Sequence, residues 1–306
     1  MVKTVTITTL IGCPIRCFYC PQDLIYKHYK SQKRRMTLDD FKRYIDTIPP
    51  NIWIDFSGFS EPFLNKDCVD MVLYAASRGH GISVASTCIG MTKADIDRLK
   101  DVKFEIFVLH LPDAEGYTRI PVTDAHLELV TYLKETATHL NLQYMSMGTI
   151  HPKFVGVFPQ EESYPNPFAE ISRLGTYTFA KVPKNYGSID CSYGGGLTEH
   201  LFLLPDGRVV LCCQDLLCQF VLGNLNEISY AELTQSPTLV AIRKNLKKWW
   251  DNTSLCRRCE KARPTLPFFF LNFNFLKNYF KIRIINKKLL KKSISKISKL
   301  WNSKLR

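Results

Sequence analysis

The sequence predicts an α/β fold: an open barrel of strand–helix units, then a small hairpin-and-helix module, then a basic tail. Three observations carry that reading. Runs rich in β-branched residues alternate with helical patterns through roughly the first 180 residues, which argues for βα units on a parallel sheet. After Cys191 the pattern changes to two apolar runs around Pro205-Asp206-Gly207, a hairpin signal. The charge is lopsided: residues 1–260 hold 28 Lys+Arg against 28 Asp+Glu, while residues 261–306 hold 13 basic residues and no acid, so the net +13 sits there. The expected units are a partial (βα)6 TIM-type barrel over 1–185, a β-hairpin/helix module over 186–263 and a basic aromatic, amphipathic tail over 264–306.

The elements follow in order. "VKTVTITTLIG" (Val2 to Gly12) is a strand, and a cysteine loop follows it directly. "TLDDFKRYIDTI" puts Leu38, Phe41, Ile45 and Ile48 at helical spacing, with Thr37 as N-cap. "IWIDFSG" is a strand after a Pro-Pro break. "CVDMVLYAASRG" is a helix ending near Gly79 or Gly81. "ISVAST" is a strand, and "TKADIDRLK" a helix with a Thr92/Asp95 capping pair. "KFEIFVLHL" is a strand, "TDAHLELVTYLKETA" a helix and "LQYMSMG" a strand. "GTYTFAKV" fits one more strand. About six such units suit the length better than a closed barrel of eight. In the second module "SYAELTQSPTLVAIRKNLKKW" reads as helical, opened by Ser229 and Glu232, and leads into "CRRC". Chemistry on such sheets sits at the carboxyl ends of the strands, so the loop after the first strand lies on the active face.

The chain holds 11 cysteines. Met1 to Thr9 is not a basic segment followed by an apolar run, and no stretch reaches 18 uninterrupted apolar residues. The expectation is a reducing, cytoplasmic setting, where closely spaced cysteines are metal or cluster ligands rather than disulfides. "LIGCPIRCFYCPQ" places Cys13, Cys17 and Cys20 in the spacing Cys-x3-Cys-x2-Cys. A cubane iron–sulfur cluster usually takes four thiolates, so three leave one iron open. Zinc would want a fourth protein ligand, and none lies in this loop.

This spacing, with Tyr19 just before the third cysteine and the loop at a strand end, resembles the radical S-adenosylmethionine (radical SAM) superfamily. The resemblance implies a [4Fe–4S] cluster on Cys13, Cys17 and Cys20. Its open iron would bind SAM, which is cleaved to a 5′-deoxyadenosyl radical that takes hydrogen from a substrate carbon. "SGFSEP" (Ser57 to Pro62) resembles the family's Gly-Gly-Glu-Pro segment, with the second glycine replaced in the run Gly58-Phe59-Ser60-Glu61-Pro62. Gly58, Ser60, Glu61 and Pro62 are therefore expected to bind SAM, with Ser86 and Thr87 at the third strand end and His110 at the fourth. Met147 is expected in the adenine pocket or simply in the core. Cys68 and Cys88 are expected to be buried, inert thiols.

Cys191, then Gly207-x4-Cys212, then Cys256-x2-Cys259, resemble the SPASM/Twitch extension of that superfamily. The short series fits the Twitch form, which implies one auxiliary [4Fe–4S] cluster closed by Cys191, Cys212, Cys256 and Cys259. Cys213 could replace Cys212, and either Cys213 or Cys218 could be spare. Zinc on the four thiols is the structural alternative. The resemblance covers residues 1 to 262.

Beyond Pro264 and Pro267 an aromatic run precedes Leu290, Ile294, Ile297, Trp301 and Leu305 at helical spacing, with lysines largely elsewhere on the wheel. That pattern predicts a helix lying on an anionic membrane surface. A disordered tail, a partner-docking helix or a nucleic-acid arm are the other readings; the aromatic run speaks against a purely electrostatic arm, so no nucleic acid is expected. The expected function is oxidation or rearrangement of a sugar- or glycan-type substrate, small or lipid-linked, with the auxiliary cluster as electron acceptor. The resemblance implies a reductant such as flavodoxin or ferredoxin. A peptide-modifying SPASM maturase is the runner-up, and a non-catalytic iron–sulfur or zinc module the reading from another class. Tyr117 and Arg119 are expected to face the substrate.

Overall fold

The structure, a computed structural model, describes residues 2–18, 20–163, 184–191, 199–251 and 254–265. Tyr19, the strand expected in "GTYTFAKV" and the tail beyond Thr265 lie outside the described residues. Among the described residues no helix is long and apolar enough to cross a membrane.

The first half alternates strands and helices as expected. β1 (Thr4–Ile7) leads through the cysteine loop to α1 (Gln22–His28) and α2 (Leu38–Ile45). Then come β2 (Trp53–Phe56), α3 (Cys68–Ser77), β3 (Ile82–Ser86), α4 (Lys93–Leu99), β4 (Phe104–Leu111), α5 (Asp124–Thr136), β5 (Leu142–Ser146) and the single turn α6 (Pro152–Val155). The caps are those the sequence announces. Thr37 with Asp40, Thr92 with Asp95 and Ser229 with Glu232 each form a reciprocal capping box. α1 has no counterpart in the expected elements: it is one short helix starting two residues after Cys20.

The second half adds β6 (Ile189–Cys191), β7 (His200–Leu203), β8 (Arg208–Val210), β9 (Val221–Asn224), α7 (Tyr230–Leu233), α8 (Pro237–Asn245) and β10 (Ala262–Pro264). The single helix expected over this region is two. Pro237 occupies the first turn of α8, where its missing N–H costs nothing, and it cannot continue α7. Gly207 makes the turn between β7 and β8 with φ +87°, which a side chain would strain.

Eight strands form one sheet in the order β5-β4-β3-β2-β1-β7-β8-β9. β1 to β5 are parallel, and β7 runs parallel to β1 before the hairpin turns antiparallel. The second module is therefore hydrogen-bonded into the barrel sheet rather than hung beside it. Alternation along the strands separates two faces. Val5, Ile7, Ile54, Phe56, Phe107 and Leu109 are buried in the main core with the apolar sides of the helices. Thr6, Asp55, Ser83, His110 and His200 occupy the intervening positions. That inner face is lined by polar groups where a closed barrel would be filled with branched apolar side chains.

Candidate active site

The cysteine loop is anchored on both sides. The Ile11 N–H donates to Arg34 O at 2.8 Å, and the Phe18 N–H donates to Tyr117 O at 2.7 Å. The Phe18 and Tyr117 rings also pack, with centroids 5.8 Å apart. Tyr117, expected to face substrate, thus holds the loop, and neither it nor Arg119 lines the cavity described below. The Cys20 N–H closes a turn onto Cys17 O at 2.9 Å. Burial pushes the Cys13 thiol up, while backbone N–H groups of Glu61, Ile15 and Arg16 pull it down.

Gln22, the first residue of α1, was not singled out by the sequence. Its Nε2 donates to Cys20 Sγ at 3.0 Å and to Phe59 O at 2.7 Å, and its Oε1 accepts from the Cys13 N–H at 3.0 Å. One amide therefore ties two of the three thiol-bearing residues to the second loop. The proline-glutamine pair after Cys20 was the available signal.

The second loop, Ser57 to Pro62, is pressed against β1. A Cβ on Gly58 would lie 2.6 Å from Thr8 Cα and 2.7 Å from Ile7 O, so only glycine fits. Phe59 stacks on Phe202 of β7, with ring centroids 5.5 Å apart and 23° between planes. Phe59 thus docks this loop on the second module. Ser60 Oγ is buried with no hydrogen-bond partner among the described residues. Glu61 is buried and reaches across to the end of β3. It accepts from Ser86 Oγ at 2.5 Å and from the Thr87 N–H and Oγ1 at 2.7 Å each. Burial raises its pKa against those hydrogen bonds. Pro62 starts a turn of 3-10 helix, and its carbonyl accepts from Thr9 Oγ1 at 2.9 Å.

These groups surround one cavity of about 530 Å³. Cys13, Cys17, Cys20, Gly58, Ser60, Glu61, Ser86, Thr87 and His110 line it; Pro62 and Met147 do not. Burial lowers His110 to about 4, which keeps it neutral near pH 7. Cys68 and Cys88 are fully buried, and burial raises both thiols, as inert cysteines should be.

The second set of thiols acts on one another as a group. Burial pushes Cys212 well up, and Cys213, Cys256 and Cys259 add to the push. Burial raises Cys256 to about 11 and Cys259 to about 12, and each also feels Cys191. Cys213 lines the cavity wall and packs against the apolar cluster of Phe59, Phe202 and Cys218, whereas Cys218 itself does not line the cavity. Arg257 of "CRRC" is 1% exposed and organises this end. Its guanidinium donates to the carbonyls of Asn185, Gly187, Asn245 and Lys248 and pairs with Asp251 at 3.2 Å. Asn185 Nδ2 in turn donates to Cys259 O at 2.8 Å.

The donor sets fit iron–sulfur clusters. Thiolates are the soft ligands such clusters take. Three thiols face a cavity beside an unpartnered Ser60 hydroxyl, and Cys191, Cys212, Cys256 and Cys259 lie near enough to act on one another. Among the described residues no three His, Cys, Asp or Glu groups close on a single ion. A four-iron cubane is wider than one ion, and its thiolates stand farther apart.

Comparison with known proteins agrees with this geometry. Residues 7–138 match the radical SAM superfamily, and residues 191–260 match the iron-sulfur cluster-binding domain SPASM. No curated protein matches the sequence. The fold is similar to that of BtrN in complex with AdoMet and 2-DOIA, at 15% identity and TM-score 0.58, over 87% of this chain and 94% of that one. It is also similar to Streptococcus suis SuiB bound to precursor peptide SuiA, at 12% identity and TM-score 0.54, over 85% and 70%. A third is anSMEcpe with bound AdoMet and Cp18Cys peptide, at 12% identity and TM-score 0.51, over 85% and 86%.

Proposed function

We propose, from the premise that this chain belongs to the radical SAM superfamily and carries an iron-sulfur cluster-binding SPASM domain, that it oxidises a small hydroxylated substrate by hydrogen abstraction. It is an enzyme whose cofactors are SAM, a [4Fe–4S] cluster that binds it, and an auxiliary iron–sulfur cluster. When bound, these groups supply a 5′-deoxyadenosyl radical and an acceptor for the substrate's second electron. One observation carries the proposal. A single cavity is lined by Cys13, Cys17 and Cys20, by the polar inner face of the strands, and by Cys213 next to the four-thiol group.

In this reading Cys13, Cys17 and Cys20 would hold the first cluster, and Cys191, Cys212, Cys256 and Cys259 the second. Ser60 would give its free hydroxyl to SAM. Glu61 fixes Ser86 and Thr87 at the end of β3, where they face the cavity. Neutral His110 can accept or donate one hydrogen bond there without adding charge.

The test is anaerobic reconstitution, then SAM and dithionite. The chain should release 5′-deoxyadenosine, and the Cys17→Ala variant should release none. A hydroxylated substrate deuterated at the oxidised carbon should pass deuterium to the 5′-deoxyadenosine. Transfer from a peptide alone would replace the small-molecule reading with a maturase. The basic tail would hold the enzyme at an anionic membrane surface, near a lipid-linked substrate. Liposome binding unchanged in a chain ending at Pro264 would remove that part.

A further inference from the structure

The floor of the cavity has a chemistry that the cofactors do not use. Thr6, Asp55 and Ser83 stand on three adjacent strands, in register as Thr6 with Asp55 and Asp55 with Ser83. Three hydroxyls converge on the Asp55 carboxylate. Ser57 Oγ donates to Oδ2 at 2.5 Å, Thr6 Oγ1 to Oδ2 at 2.9 Å, and Ser83 Oγ to Oδ1 at 3.1 Å. His200 Nε2 lies 2.8 Å from Thr6 Oγ1. Thr6 has one hydrogen and spends it on Asp55, so His200 is the donor in that contact.

The consequence is an inventory of lone pairs. Each of the three hydroxyls has given its only hydrogen to Asp55. What Ser57, Ser83 and Asp55 turn to a ligand are therefore acceptors. Among the described residues no lysine or arginine forms an ion pair with Asp55. His200 is a titratable group that feels it: burial lowers its pKa, and Asp55 pulls it back up. Arg16 and Lys261 line the same cavity without pairing with Asp55, and the acceptor-only patch of Asp55, Ser57 and Ser83 is completed by a cationic donor.

Two more features select the ligand. Trp53 precedes Asp55 on the same face of β2, is 45% exposed and lines the same cavity. Its ring occupies space that a Cβ on Gly81 would enter, at 2.8 Å from Cδ1. An indole face beside a carboxylate attracts a cation and carries the apolar face of a ring. The spacing is also right. Thr87 directly follows β3, four residues after Ser83, so the floor lies roughly 13 Å below the layer of Glu61 and Thr87, a span longer than one six-membered ring.

We propose that Asp55, Ser57, Ser83 and Trp53 form a subsite for the protonated amine of a hydroxylated ring, an amino sugar in chemical class. This rests on the small-molecule reading above and names its substrate. The amine anchors on the floor, and the ring carbons above it are presented to the cysteine end of the cavity.

The experiment is calorimetric titration of the reconstituted holoenzyme with SAM present and no reductant, using D-glucosamine and D-glucose as probes. Glucosamine should bind roughly tenfold or more tightly than glucose, the value of a charged hydrogen bond. Asp55→Asn should erase that preference, with iron content and thermal midpoint as controls on folding. Should that variant fail the controls, Ser83→Ala and Trp53→Phe should each narrow the preference several-fold. Equal binding of the two probes, binding of neither, or a preference that survives these variants overturns the subsite. Release of 5′-deoxyadenosine by the parent chain is measured separately. Its absence sinks the radical reading, whereas its presence beside a failed titration sinks only the subsite.

Discussion

Cys13, Cys17 and Cys20 stand on a loop at the rim of a cavity, held by backbone N–H groups and by Gln22. Cys212, Cys256 and Cys259 are packed among one another, with Arg257 fastening the chain around them. The first arrangement keeps one side open to a ligand. The second spends its surroundings on closure. The same element, sulfur, thus faces a cavity in one place and is shut into the fold in the other. The steering comes from what stands beside the thiols, not from their number alone.

That contrast can be broken in steps. The largest effect belongs to Cys17→Ala. It should lose about four irons per chain and bring 5′-deoxyadenosine below detection, while iron at the other site stays. Loss of all iron instead would mean that the two sites do not load independently. Next is Arg257→Ala, which takes one donor from Asp251 and one from each of four carbonyls. Breaking a buried pair of this kind costs about 3–5 kcal/mol. Thermal unfolding should fall accordingly, and the second cluster should be lost before the first. A variant with unchanged midpoint would falsify the fastening role of Arg257.

Gln22→Leu is smaller and acts on the open side. It removes one N–H···S hydrogen bond worth about 1.5–3 kcal/mol when the acceptor is charged. The reduction potential of the first cluster should drop, since hydrogen bonds to sulfur raise it. Potentiometric titration followed by EPR reads this directly, and an unmoved potential would leave Gln22 only as a brace between loops. Smallest is Phe59→Leu, which keeps the burial but loses the stack on Phe202, worth about 1 kcal/mol. Chemical denaturation should show that loss, and SAM should bind more weakly because its loop is less firmly seated.

Much of this was legible in the sequence, for physical reasons. The cysteine spacings are local, and so are the caps at Thr37, Thr92 and Ser229, so both are visible in short windows. The break at Pro237 was equally local. The Ser-Pro pair announces it, inside a stretch read as one helix from its opening at Ser229 and Glu232. What the sequence could not disclose depends on register between strands. Thr6, Asp55 and Ser83 are unremarkable separately and become a site only because β1, β2 and β3 align them. The stack of Phe59 on Phe202 spans some 140 residues, and the place of β7 beside β1 is of the same long-range kind. Arg257 hid inside a motif read for its cysteines.

The ladder between β1 and β7 has one more implication, for cooperativity. β1 is a middle strand only because the hairpin completes its other side. A chain cut after residue 185 would expose the β1 edge as a row of unpaired N–H and C=O groups, a template for self-association. The barrel and the hairpin should therefore melt in a single transition rather than as two independent folding units.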